Sequence, residues 1–189
     1  MNFPNLISFF SILVWSTIPF RHIGKKYFYF FYFIALADPL TFFLRLELHS
    51  NSNIFYIPFQ YLALISLFEK QQIIKNKTPL IIIFTILCLI NIKIDLLPYI
   101  LLLVVIDILI LIKLFIDLSI SSFKLRFINL FTIFLILNMI IEILQSLGIF
   151  NGFINGYFYF YAANVFEISI GLFFWIFKED EPKMLIVLS

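Results

Sequence analysis

Seven apolar stretches, joined by connectors of at most about a dozen residues, constrain this chain more than any other feature of its sequence. They run over Leu6–Phe20, Tyr27–Leu44, Ser52–Phe68, Pro79–Ile94, Leu97–Ile116, Phe127–Leu147 and Phe153–Phe177. A helix rises ~1.5 Å per residue and a bilayer's hydrocarbon layer is ~30 Å thick, so each stretch spans that layer or nearly does. A soluble domain of 189 residues could not bury a composition that is 63% hydrophobic and 13% charged, with a mean hydropathy of +1.08. The expected fold is all-α: one polytopic transmembrane bundle of about seven helices over residues 1–189, solvated by the lipid bilayer, with no soluble domain.

Charge placement sets the orientation. Residues 1 to 20 carry no charge, and Arg21, Lys25 and Lys26 follow them, the reverse of the order in a cleaved signal peptide. The first stretch therefore reads as a retained helix with its N-terminus outside. With seven crossings, Arg21, Lys25, Lys26, Lys70, Lys75, Lys77, Lys124, Arg126, Lys178 and Lys183 share one side, against Arg45 and Lys93 on the other, and Lys113 lies within the fifth stretch. Such a bias marks the cytoplasmic face, so the C-terminus is expected in the cytoplasm, with a bacterial cytoplasmic (inner) membrane as the setting. Fusing the fourth and fifth stretches into one helix reduces the bias to six against five, which favours seven crossings. A re-entrant hairpin turning near Asn91 to Pro98 would satisfy the charges equally well. The tail from Lys178 is too short to span and is expected at the interface.

An ionisable side chain at mid-membrane costs about 2.5–3.5 kcal/mol on insertion scales, so it calls for a partner, a wet cavity or a function. Asp38, Asp107 and Glu167 fall near mid-depth of the second, fifth and seventh stretches, and Glu142 lies nearer the outer end of the sixth. Gln60, Asn138 and Asn164 project from the middle of the third, sixth and seventh. Asn138, Glu142 and Gln145 follow i, i+4, i+7 on one helical face; Asn164 and Glu167 share another beside Ala163 and Gly171, small enough to admit a second helix. One polar layer lined by the second, third, fifth, sixth and seventh helices is expected. Lys113 and Asp117, spaced i, i+4, read as an ion pair towards the cytoplasmic end, and Pro39 directly after Asp38 removes a backbone donor in the second helix.

Each half of the chain has a basic loop (Lys25-Lys26; Lys124 and Arg126), a helix with a polar group about twelve residues on (Asp38; Asn138), and a third helix carrying Phe59-Gln60 or Phe166-Glu167. This parallel three-plus-one-plus-three order resembles the architecture of the sugar-transporting SWEET proteins and of the nicotinamide riboside transporters. The resemblance implies a transporter-like arrangement and carries over no residue.

Several activities are excluded. The last stretch lacks the lysine of a retinal Schiff base. His22 and His49 fall in loops on opposite sides, which rules out haem held between them, and neither HExxH nor a Ser-His pair at depth is present. Cys88 is the only cysteine, so no disulfide or thiolate cluster forms. The net charge of +2 without a basic run leaves no nucleic-acid footprint. No enzyme and no cofactor are expected. What remains is a carrier of a small polar solute, cation or proton built on Asp38, Gln60, Asp107, Asn138, Glu142, Asn164 and Glu167, or else a non-transporting sensor or subunit that packs against a membrane-protein partner or a second copy.

Overall fold

The computed structural model describes residues 3–48, 56–91, 95–150 and 157–187. These are 84% helical, in eight α-helices. They are α1 Phe3–Arg21, α2 Phe28–Leu48, α3 Tyr56–Ser66, α4 Lys70–Lys75, α5 Lys77–Asn91, α6 Leu96–Lys124, α7 Leu130–Phe150 and α8 Tyr157–Ile176. Two strands, β1 Phe127–Asn129 and β2 Leu185–Val187, and a 3-10 turn at Pro182–Met184 complete the set. Helix dominates because an apolar sequence offers its backbone amides few partners but one another, and a helix pairs them within one segment.

The eighth helix is the short α4, formed by the polar KQQIIK connector. Where a single fused helix was the alternative, α5 and α6 are distinct: α5 has 15 residues, about 22 Å, and α6 has 29, about 43 Å. The fifth stretch thus continues as helix eight residues past Ile116. Among the described residues α6 and Leu130–Gly148 of α7 are long and apolar enough to cross a membrane; Phe9–Arg21, Phe28–Thr41, Lys77–Ile90 and Ala162–Ile176 are shorter apolar helices.

Packing runs from α1 to α2, α3, α6, α7 and α8 and returns to α1, while α5 seats on α3 outside this circuit. The closing contact is parallel. Ser11 and Trp15 of α1 reach Glu167 of α8, and His22 beyond α1 reaches Phe174. Gly171 makes this approach possible: a Cβ there would stand 2.8 Å from Val14 Cγ1 and 3.3 Å from the Trp15 indole nitrogen. Gly171, one of the two small residues read on that face, therefore receives α1.

The described core is densely aromatic, with Phe31, Phe131 and Phe174 meeting at ring distances of 5.0 to 6.1 Å. Outward faces remain apolar as well, including Ile81, Ile82, Leu89 of α5 and Leu101, Val105, Ile112 of α6.

Overpacking a close helix contact costs about 1–3 kcal/mol. Gly171→Val should lower thermal stability in detergent by that order, and Val14→Ala placed beside it should restore part of the loss. Unchanged stability in the single variant would remove the α1–α8 contact from the account.

Candidate functional site

Polar side chains collect at two levels of the bundle. The first lies where α3, α6 and α7 meet. Gln60 of α3 donates its Nε2 hydrogen to Glu142 Oε2 of α7 at 3.4 Å, and Asn138 Nδ2 donates to Glu142 Oε1 at 2.7 Å, one turn away on the same face. Glu142 thus has an amide N–H on each oxygen, which stabilises a carboxylate. Asp107 of α6 stands apart from this arrangement: it is 1% exposed, and neither oxygen has a hydrogen-bond partner. Its position belongs to the buried stripe of α6 that includes Ile100, Val104, Ile110 and Leu114, so the helical phase that packs α6 also buries the acid.

Depth can be read along the helices. Asp117 of α6 accepts a hydrogen bond from Lys26 Nζ at 2.7 Å near the start of α2, and Asp107 lies ten residues, about 15 Å, further in. The Phe68 ring, just beyond α3, packs against Lys113 Nζ at 5.6 Å, and Gln60 is eight residues on from it. Gln60, Asp107 and Glu142 therefore share roughly one depth.

The expected single layer is divided. Gln60, Asn138 and Glu142 come together as read, whereas Glu167 accepts a hydrogen bond from Ser11 Oγ at 3.2 Å in the α1–α8 seam, and its backbone carbonyl accepts from Trp15 Nε1. Ser11 was not among the expected partners, although it shares a face with the buried Trp15 and Ile18. Asn164 is buried in α8. Asp38 lies within α2, and its side chain falls outside the described residues, as does His49.

The second level is the basic end. Here the tail folds back over the end of the bundle. Glu179 accepts hydrogen bonds from the backbone N–H groups of Lys26 and Tyr27, just before α2, and its own carbonyl accepts from Asn129 Nδ2. Asp180 pairs with Lys25 at 2.6 Å, and β2 pairs antiparallel with β1, Ile186 opposite Ile128, while Met184 is buried. Asn129 also caps α7 by accepting from Phe131 N at 2.9 Å. The Lys113–Asp117 pair forms as read and extends to Lys26. Burial holds the Glu179 carboxyl above the usual range, with the two amide bonds pulling it back; the Lys25 ammonium holds Asp180 below it.

His22 departs furthest from expectation. It follows α1 in a turn, yet it is fully buried against Phe31 and Phe131, ring centroids 4.9 and 5.3 Å away, and its Nε2 donates to the Phe174 carbonyl at 2.8 Å. Continuing the α1 phase through Trp15 and Ile18 by four residues reaches it, a signal that a loop assignment hides. Its Nδ1 has no partner. Among the described residues no group of three or more His, Cys, Asp and Glu could hold a metal ion.

This chain matches no family model, no curated protein and no solved structure. The three-plus-one-plus-three likeness rests on the order of segments alone.

Burial pushes the His22 imidazole below its ordinary value of 6.5, opposed by the Phe174 bond and reinforced by Lys178 and Arg21. The unfolded chain takes up this proton first, so stability from a neutral His22 is complete above about pH 6.5 and declines as pH falls below it. Thermal melts between pH 7.5 and 5 should show that decline in the native chain and a flatter profile in His22→Phe. Identical profiles would place the titration elsewhere.

Proposed function

We propose that this chain is a polytopic membrane protein that crosses the bilayer about seven times, basic end in the cytoplasm, and carries a positively charged species through a site at Asp107. The apolar α6 and α7 and the apolar outer faces of α5 and α6 support the membrane setting. The parallel run of α1 beside α8 supports an odd number of crossings, with the two termini on opposite sides.

Asp107 carries the functional reading. Glu142 and Glu167 hydrogen-bond across helices, the pattern of groups that hold a bundle together. Asp107 has neither oxygen bonded at 1% exposure, and an unpaired charge in such surroundings costs several kcal/mol. A site of this kind takes up a positive species, a proton or a cation. A carboxylate that gains and loses such a ligand at mid-depth is the minimal element of a carrier.

The Gln60–Glu142 and Ser11–Glu167 bonds favour a second reading, a non-transporting subunit whose polar groups serve adhesion alone. The two readings separate in proteoliposomes. Under a carrier, an imposed gradient drives proton or cation flux that Asp107→Asn reduces by at least about tenfold while Glu167→Gln retains most of it. Flux absent from the native chain, together with a stable membrane partner recovered in mild detergent, would favour the subunit.

A further inference from the structure

The α3–α6–α7 meeting point has too many acceptors for its donors. On the packed pair α3 and α6, three buried side-chain oxygens lack any hydrogen-bond partner: Oδ1 and Oδ2 of Asp107 and Oε1 of Gln60. The Gln60 amide is oriented by Glu142, which accepts from its nitrogen and so turns its oxygen away from that bond. Gln145 Nε2, on α7, is the unbonded amide donor nearest in sequence to Glu142, and it reaches none of the three.

Three facts then select the ligand. Among the described residues Asp107 is the buried carboxylate with both oxygens unbonded, and a single positive charge balances it. The free donor set is all oxygen, one carboxylate and one amide carbonyl, which suits a hard cation. No group of three or more His, Cys, Asp and Glu exists among the described residues to hold a divalent or transition metal. A proton satisfies the oxygen it binds and, as a donated hydrogen bond, one other, leaving the third bare. A dehydrated monovalent ion seated between α3 and α6 would draw on all three.

We infer that Asp107 and Gln60, at one depth on adjacent helices, form a binding site for a monovalent metal cation of alkali type. The inference rests on the proposed carrier function and identifies the species that the Asp107 site takes.

The test uses the full-length chain in lipid nanodiscs, melted at constant pH and ionic strength in sodium, potassium or lithium chloride, with N-methylglucamine chloride as the inert reference. A cation bound only by the folded state raises the unfolding temperature in a saturable way. The expected result is a saturable rise of several degrees with at least one alkali cation over N-methylglucamine, lost in Asp107→Asn. Gln60→Met, similar in shape and lacking the carbonyl, should weaken the apparent affinity on the order of tenfold, and it stands as the deciding variant if Asp107→Asn does not fold. Equal melting temperatures in all four salts, or an alkali response untouched by Gln60→Met, would overturn the inference. If the salts are equivalent while Asp107-dependent proton flux persists, the ion is a proton and the carrier reading survives; if flux is absent as well, both fall.

Discussion

In the bilayer proposed for this chain, backbone amides have little but one another to bond with, and the helical architecture follows from that shortage. Polar side chains are sparse, so the segments fold as helices that satisfy their own N–H and C=O groups. What remains to be settled is which helix touches which, and here a few small or polar residues decide. Gly171 lets α1 lie against α8, Gln60 ties α3 to α7, and the tail from Glu179 to Val187 fastens the ends of α2, α6 and α7 together. Dispersion between aromatic rings fills the space left over.

Within that frame the acids of the helices have different fates. Glu142 and Glu167 are absorbed into interhelical bonding, which makes them part of the scaffold. Asp107 gains no such partner although it is more deeply buried than either glutamate, and that contrast singles it out among the described residues. The ion pairs at the basic end, Lys25–Asp180 and Lys26–Asp117, each keep an exposed partner and contribute little stability individually. Their value is placement: Lys25–Asp180 keeps the tail where Glu179 can accept from the amides ahead of α2, and Lys26–Asp117 ties that same loop to α6.

Much of this was legible beforehand because apolar periodicity and charge are local properties. The helical segments, the Asn138–Glu142 face and the Lys113–Asp117 pair follow from spacing within one helix. Neighbour choice does not, since it depends on complementarity between segments far apart in the chain. Nothing near Glu167 in sequence points to Ser11, and nothing near Asn129 points to the tail. His22 was hidden for a different reason: a turn residue reads as solvated, and only the phase of α1 carried past its end reveals that it is buried. The length of α6 was underestimated because Asp117 and Ser119 resemble a helix terminus by polarity while continuing the helix.

The central claim is that the chain passes through a bilayer with its basic end on one face. In a Cys88→Ala background, single cysteines at Lys183→Cys and Asp95→Cys, treated with a membrane-impermeant maleimide in oriented vesicles, test it directly. The account predicts that position 183 labels only from the cytoplasmic face and position 95 only from the opposite face. Labelling of both positions from the same face would contradict it.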